Sequence, residues 1–319
     1  MHDVLCPRVS FLVLVLAAAG CASTPYQPPR SPASDETVPP DVEYWRGSFK
    51  GVGGVQLFEQ YWRPAQGMRA GVVLVHGLKD HSSRYRDLAV TLANRGIAVY
   101  TFDLRGHGYS EGVRDHITSV DDVVQDLGSL VKRVLDRQQD KPTFLVGQGM
   151  GAALVALYAE RVQPKVAGVV LAAPFLQDEV KGSERFGTRL AAIFGPRTEG
   201  FELDLGKWST DQRVVRDLRS DPLIHDGQPT AATAGEVLRA SDEVLEKSPR
   251  LALPALVVWG TADQIINQKA AQSLTEKMGS QDKTVKQYEG LGHDLFHEPD
   301  RSAVITDVIN WIDTHGGKS

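Results

Sequence analysis

The sequence predicts an α/β fold with a mostly parallel central sheet and helices on both faces. At 319 residues with 42% hydrophobic content, the chain is long enough to bury the core of one large α/β domain. Apolar runs of strand length, interrupted only by Thr101, occur at 71–75, 97–102 and 255–259, and helical patterns alternate with them. Such runs are typical of parallel strands buried on both faces. Segments rich in glycine and histidine follow the strand ends, which is where sheets of this class carry their chemistry.

The N-terminal segment predicts a secretion signal. Arg8 precedes the apolar run Phe11–Ala19, which is too short to span a bilayer and is typical of a signal-peptide core. The run ends in Ala18-Ala19-Gly20-Cys21, which resembles a bacterial lipoprotein cleavage site, although Ala18 stands where leucine is usual. Residues 1–20 are therefore the predicted signal peptide, and Cys21 is the predicted lipidated residue. An ordinary signal peptide cut by another peptidase, or a buried apolar segment, stays open as an alternative.

The predicted mature chain starts with a tether at residues 21–45, which are rich in Pro, Ser and Thr. Ala22, rather than aspartate, follows the cysteine, and this resemblance favours the bacterial outer membrane, with the protein facing the periplasm. The chain has two cysteines, and Cys6 leaves with the signal, so we expect no disulfide. A formal charge of −5 without a basic cluster argues against a nucleic-acid partner.

The domain predicted at 46–319 opens with a hairpin around Phe49 to Trp62. Strands and helices then alternate. The predicted strands are 71–75, 97–102, the segment beginning at Thr143, 166–172, 255–259 and 284–288. One predicted helix ends at about residue 94, and another follows the turn within 143–153 and continues through 162. Further predicted helices cover 119–137, 269–278 and 303–314.

The stretch at about 175–249 breaks this alternation with apolar clusters and charged helical segments. A structureless loop of this length is uncommon in a compact domain, so we expect a small helical subdomain. Because it follows a strand end, it is predicted to cover the site as a cap.

The central feature is Gly147-Gln148-Gly149-Met150-Gly151, between an apolar strand and an Ala-rich helical pattern. Glycines stand two residues before and two residues after Gly149. This is the spacing of the G-x-S-x-G nucleophile elbow, in which strand and helix nearly touch. Here the nucleophile position is Gly149, which has no side chain.

Two further strand ends supply an acid and a base. Asp263 follows the strand at 255–259, and His293 follows the short strand at 284–288. The order nucleophile, acid, histidine is that of the α/β-hydrolases. In such a triad the acid fixes the tautomer of the imidazole, and the imidazole activates the nucleophile.

The chain resembles the monoacylglycerol lipase and lysophospholipase branch of the α/β-hydrolases. The resemblance implies a capped fold, no metal, no cofactor, and hydrolysis of single-chain acyl esters. It also implies oxyanion donors at the backbone N–H groups of Leu78 and Met150. The segments that carry the resemblance are 76–78, 80–82, 84–85, Asp103, 105–108, Ser110, 147–151, 221–223, Gly260, Asp263 and 292–293.

Two positions depart from the family pattern: Lys79 replaces a usual glycine, and Gly149 replaces the serine. Three interpretations of Gly149 stay open. The chain is a non-catalytic relative that binds a lipid or a partner, a slow hydrolase in which His293 activates water, or an inactivated form of an ordinary lipase. A structural ion pair between Asp263 and His293, and a metal at His293 and His297, are the weaker alternatives.

Overall fold

The structure, a computed structural model, describes residues 37–317 except 139, 178–181 and 226. The predicted signal peptide, the lipidation site Cys21 and most of the predicted tether lie outside the described residues. In the described part of the chain, no helix is both long enough and apolar enough to cross a membrane.

An eight-stranded sheet forms the centre of the protein, in the order β1-β2-β4-β3-β5-β6-β7-β8. Strands β3 to β8 pair in parallel, whereas β1 and β2 form an antiparallel hairpin that joins β4 at one edge. The strands are β1 Val42–Lys50, β2 Gln56–Pro64, β3 Ala70–Val75, β4 Ile97–Phe102, β5 Thr143–Gln148, β6 Gly168–Ala172, β7 Ala255–Gly260 and β8 Lys283–Tyr288.

The core lies on both sides of this sheet. Every residue of β3, β4, β5, β6 and β7 is buried. Because successive side chains of a strand point to opposite faces, both faces must be covered. The covering helices are α1 Arg86–Ala93, α2 Val120–Gln138, α3 Met150–Val162, α7 Gln268–Lys277 and α8 Arg301–His315. The prediction of a mostly parallel sheet between helices is confirmed.

An insertion between β6 and β7 carries further helices, where the sequence breaks its alternation. In the part of it that the structure describes, the α-helices are α4 Gly182–Phe194, α5 Gln212–Ser220 and α6 Ala231–Lys247. The long helix α6 packs on both α3 and α4. It begins after Thr230, whose hydroxyl accepts a hydrogen bond from the N–H of Thr233 and so satisfies one of the free amides of the first turn. The insertion therefore lies over the helix that follows the Gly149 turn.

The start of the domain differs from the prediction. Strand β1 begins at Val42, inside the segment predicted as tether to residue 45. Most of its residues are exposed or half-buried, as expected for an edge strand. Tyr44 and Trp45 pair with Trp62 and Tyr61 on β2. The prolines just before Val42 favour an irregular segment, so the sequence pattern does not predict a strand there. The boundary moves from 46 to about 42.

Candidate functional site

The turn between β5 and α3 requires its glycines for steric reasons. A Cβ on Gly147 would lie 2.4 Å from the carbonyl oxygen of Gly151, and a Cβ on Gly151 would lie 2.1 Å from that of Val75. Neither position tolerates a side chain, because real contacts of this kind are never so short. The strand and the helix therefore approach as closely as the sequence spacing predicts.

Gly149 adopts φ 58° and ψ −120° at the N-terminus of α3. This is a conformation that L-residues with a Cβ adopt only under strain, and glycine adopts it freely. Its N–H donates to the carbonyl of Ala172, and its own carbonyl accepts from the N–H of Phe175. The backbone of the turn is thus held from the end of β6.

Asp263 and His293 lie side by side at the ends of β7 and β8. The Nδ1 of His293 donates to Oδ2 of Asp263 over 3.0 Å, and both residues are buried. The other carboxylate oxygen, Oδ1, accepts the backbone N–H groups of Ile265 and Ile266, at 2.7 and 3.1 Å. The Asp263 carboxylate is therefore fixed in place and fixes the ring of His293.

The Nε2 of His293 points at Gly149. A Cβ built on Gly149 would lie 3.0 Å from this nitrogen. Burial lowers the pKa of His293, but the charge and hydrogen bond of Asp263 outweigh that effect, with help from Asp294 and Asp80, so that the pKa rises above its ordinary value. The structure thus brings Gly149, Asp263 and His293 together, in the order in which the sequence places them.

The loop after β3 closes the other side of this space. The Cα of Gly77 lies 3.8 Å from the Cβ position built on Gly149, and a Cβ on Gly77 itself would lie 3.5 Å from the backbone nitrogen of Met150. Leu78 follows directly. Among the hydrogen bonds of the described residues, none uses the backbone N–H of Leu78 or Met150. We call the space between these two N–H groups, Gly149 and Nε2 of His293 the Gly149 site.

Lys79 joins this loop to two distant segments. Its ammonium group contacts the carboxylate of Asp115 and the carbonyl oxygens of His225 and Gly227, and its side chain is almost completely buried. His225 also bonds to Asp115, over 2.8 Å. Lys79 has a φ of 52°, where a glycine would be unstrained. The residue that departs from the family pattern therefore ties the loop beside Leu78 to the insertion.

His76 and His107 hold loops. The Nε2 of His76 accepts the N–H of Leu104, and its Nδ1 donates to the carbonyl of Gly77. His107 donates to the carbonyl of Arg105. Burial, with the nearby ring of His76, lowers the pKa of His107 to about 4, so that this ring is neutral at pH 7.

The serines near the site take structural roles. Ser110 accepts the N–H of Phe58 and donates to the carbonyl of Asp103. Ser82 and Ser83 both accept from the side-chain amide of Gln60. None of these contacts joins a serine hydroxyl to His293, so none of the three takes the place of the missing hydroxyl.

The alternative of a metal at His293 and His297 gains no support. The ring nitrogens of His297 contact Oδ1 of Asp294 at 2.6 Å and the carbonyl oxygen of Arg84 at 2.9 Å. Both nitrogens are thus occupied by protein groups. Within residues 37–317, apart from the gaps named above, no three His, Cys, Asp or Glu side chains form a group suited to a metal ion.

Sequence reasoning missed two aromatic residues at the site. Trp208, from the insertion, meets the ring of His293 edge-on with 5.1 Å between ring centres, and its carbonyl accepts the N–H of Asp294. Phe175, beside Gly149, stacks on Phe201 of the insertion. The sequence signals their size and apolar character but not their neighbours, which come from segments far apart in the chain.

A cavity of about 330 Å³ lies within the insertion, between Phe175 and the helices α4 and α6. This is the lower end of the range for small-molecule sites. Phe175 and Val237 line both this cavity and a narrow apolar gap that reaches Met150. The residues that line the cavity are Phe175, Gln177, Glu184, Thr188, Gly200, Phe201, Glu202, Ala234, Val237 and Leu238.

Comparison with known proteins identifies a family model and related sequences that match this chain. The family model described as serine aminopeptidase, S33, matches residues 66–300. A monoacylglycerol lipase of Mycolicibacterium smegmatis is 32% identical over 271 residues, which cover 84% of this chain and 96% of the relative. The human monoglyceride lipase is 31% identical over 264 residues, covering 81% of this chain and 87% of the relative.

Solved structures agree with these relatives. The crystal structure of a monoacylglycerol lipase from Paleococcus ferrophilus superposes with a TM-score of 0.69 at 27% identity, covering 86% of this chain and 99% of that one. A soluble variant of the monoglyceride lipase from Saccharomyces cerevisiae gives a TM-score of 0.76 at 22% identity, covering 89% of this chain and 98% of that one. At that identity, the second likeness concerns the fold alone.

Proposed function

Since the chain belongs to the serine aminopeptidase S33 family and to its monoacylglycerol lipase-like branch, we propose that it is a membrane-anchored member that lacks serine catalysis. Its ligand is a single-chain acyl ester or another single-chain lipid. Gly149 occupies the nucleophile position, Asp263 and His293 are the remaining catalytic pair, and the N–H groups of Leu78 and Met150 form the oxyanion hole.

One observation carries this proposal: His293 is oriented toward a residue that has no side chain. Its Nε2 lies 3.0 Å from the Cβ position of Gly149, while Asp263 holds the opposite ring nitrogen. A serine hydroxyl at residue 149 would be within reach of this base. Without it, no acyl-enzyme forms, and the loss of the nucleophile from a comparable triad costs about a millionfold in turnover.

The test compares the unchanged full chain with Gly149→Ser and with Gly149→Ala. A fluorophosphonate probe reacts with an activated serine, so we expect it to label Gly149→Ser and neither of the others. Monoacylglycerol hydrolysis should follow the same pattern. Gly149→Ala is the matched control, because it adds the Cβ without the hydroxyl. Labelling of the unchanged chain, or an inert Gly149→Ser, would contradict the proposal.

A slow hydrolysis by water is the second candidate function. His293 has its Nε2 free of protein partners among the described residues, and Asp263 orients the ring as in a general base. General base catalysis alone supplies roughly 10²–10⁴-fold. Residual ester cleavage by the unchanged chain that His293→Gln abolishes, without any probe labelling, would support this candidate. Cleavage that survives His293→Gln would exclude it.

The membrane anchor is the lipidated Cys21 at the start of the tether. A membrane location would also suit α4, which exposes Phe186, Ile193 and Phe194 to 65, 69 and 83%. Large apolar side chains exposed together are typical of surfaces that meet a membrane or a partner. In bacterial cells, Cys21→Ser should move the protein from the membrane fraction to the soluble fraction. An unchanged membrane fraction would contradict lipidation at this residue.

A further inference from the structure

The peptide group that carries the N–H of Leu78 is held from the side of His76. The Nε2 of His76 accepts the N–H of Leu104, so the proton of this neutral ring is on Nδ1. Nδ1 donates it to the carbonyl oxygen of Gly77 over 2.8 Å. This carbonyl and the N–H of Leu78 belong to one planar, trans peptide group and point in opposite directions. The direction of the Leu78 N–H is therefore fixed on the side that precedes it.

Lys79 holds the loop on the side that follows Leu78. Its side chain is almost completely buried, and its ammonium group contacts the carboxylate of Asp115 and the carbonyl oxygens of His225 and Gly227. An ammonium group has three N–H donors, and these three acceptors match them in number. Asp115 lies in the irregular segment between β4 and α2, whereas the two carbonyl groups belong to the insertion. The side chain of Lys79 thus joins three separate parts of the chain.

The two members of this buried ion pair share an unusual backbone conformation. Lys79 and Asp115 both have a φ of 52°, in the left-handed region that residues with a Cβ seldom adopt. Such strain persists only where the surrounding structure imposes it, and it is concentrated at functional sites. A glycine at residue 79 would be unstrained but would have no side chain to reach Asp115. The strained lysine therefore indicates that the connection itself has a role.

We propose that Lys79 is a positioning residue for the oxyanion donor at Leu78. Its backbone follows Leu78 directly, and its ammonium group is bound to the carbonyl groups of His225 and Gly227. The docking of the insertion on Lys79 thereby sets where the Leu78 N–H lies in the Gly149 site. The insertion acts on the chemistry of the site in addition to covering it. This role rests on the proposed function, because it takes the Leu78 N–H as part of the oxyanion hole.

The test removes both charges of the pair together, in Lys79→Met/Asp115→Asn. A single change would leave one buried charge without its partner, and the double change leaves none. Asparagine is also one of the few residues that tolerate a positive φ. The matched control is Val308→Ala, which removes two methyl groups from a buried residue of α8 and loosens the core elsewhere. Each change is made in the Gly149→Ser protein.

The kinetic test is monoacylglycerol hydrolysis, with kcat and KM measured separately. The loss of one oxyanion donor costs about 10²–10³-fold in kcat, and a displaced donor keeps part of its effect. We therefore expect Lys79→Met/Asp115→Asn to lower kcat by about 10- to 100-fold and to leave KM nearly unchanged, since the donor acts in the transition state. Val308→Ala should lower the Tm and change neither constant. An unchanged kcat in the double variant, or an equal loss in Val308→Ala, would overturn the inference.

A second measurement uses the chain with Gly149 in place and needs no activity. The sequence has two Gly-Leu pairs, Gly77-Leu78 and Gly290-Leu291, so carbon-13 at glycine carbonyls and nitrogen-15 in leucine select two NMR signals. In Lys79→Met/Asp115→Asn, the Leu78 signal should be broadened or split by exchange between positions, and the Leu291 signal should stay sharp. A single sharp Leu78 signal would contradict the role of Lys79. If Gly149→Ser is inert, the proposed function fails, and this measurement still decides whether Lys79 positions Leu78.

Discussion

Restoring a side chain at residue 149 should lower stability while it creates activity. At φ 58° and ψ −120°, any residue with a Cβ is strained by about 1–3 kcal/mol. The smaller entropy of the unfolded chain offsets about 0.4–1 kcal/mol of this. The new Cβ also lies 3.0 Å from Nε2 of His293, so the ring must retreat by a few tenths of an ångström. We expect Gly149→Ser to lose about 1–2 kcal/mol of unfolding free energy.

For a domain of this size, such a loss lowers the Tm by roughly 2–6 °C. Gly149→Ala carries the same Cβ and should lose the same amount. The two variants must differ in turnover: Gly149→Ser should gain about 10⁵–10⁶-fold in ester hydrolysis over the unchanged chain, and Gly149→Ala nothing. The hydroxyl alone separates them.

Thermal unfolding and hydrolysis of a monoacylglycerol, measured on the same three preparations, give both quantities. Two results would refute the reasoning. A Gly149→Ala protein as stable as the unchanged chain would mean that the turn is not strained at residue 149. A folded Gly149→Ser protein without activity would mean that Asp263 and His293 do not form a working pair.

Three further predictions concern charges in the core. Lys79→Gly removes the backbone strain but leaves the Asp115 carboxylate buried without its cation. We therefore expect the free energy of unfolding, measured by chemical denaturation, to fall by about 2–4 kcal/mol, and Lys79→Met should show a similar loss. Neither carboxylate oxygen of Glu160 has a hydrogen-bond partner among the described residues, and burial raises the pKa of Glu160 to about 8, so native stability falls as pH rises from about 4.5 to 8. Glu160→Gln should therefore raise the Tm at pH 8 and leave it nearly unchanged at pH 4. Hydrolysis by Gly149→Ser needs neutral His293, and the neighbouring carboxylates raise the pKa of this residue. The rate of hydrolysis should therefore fall with decreasing pH through a midpoint above 6.5. A midpoint below 6.5 would contradict the effect of the carboxylates.

Most of the sheet is predictable from the sequence because its central strands are buried on both faces. Strands such as β3 and β4 are continuous apolar runs of five or six residues, too short for a helix that crosses the core, and this length favours a buried strand. The edge strand β1 has no such signal. It mixes charged and aromatic residues, since one side of an edge strand meets water, and the sequence therefore places the start of the domain too late.

The position of the Gly149 site is predictable for a topological reason. Carboxyl ends of parallel strands meet at one edge of the sheet, so residues that follow β5, β7 and β8 come together there whatever their separation in the chain. The partners of Lys79 obey no such rule. Asp115 and the carbonyl of His225 lie 36 and 146 residues away, in irregular segments whose placement depends on the packing of the whole insertion.

The ammonium of Lys79 has a consequence for how the insertion can move. Moving His225 and Gly227 away from it would take two carbonyl acceptors from a buried ammonium group that stays paired with Asp115, at a cost of about 1–3 kcal/mol for each lost hydrogen bond. At the α4 side, by contrast, Asp242 is partly exposed, and water can replace its ion pairs with Arg185 and Arg189 cheaply. We therefore expect the insertion to stay fixed at His225 and Gly227 and to open first at α4, where Phe186 and Phe194 already face outward.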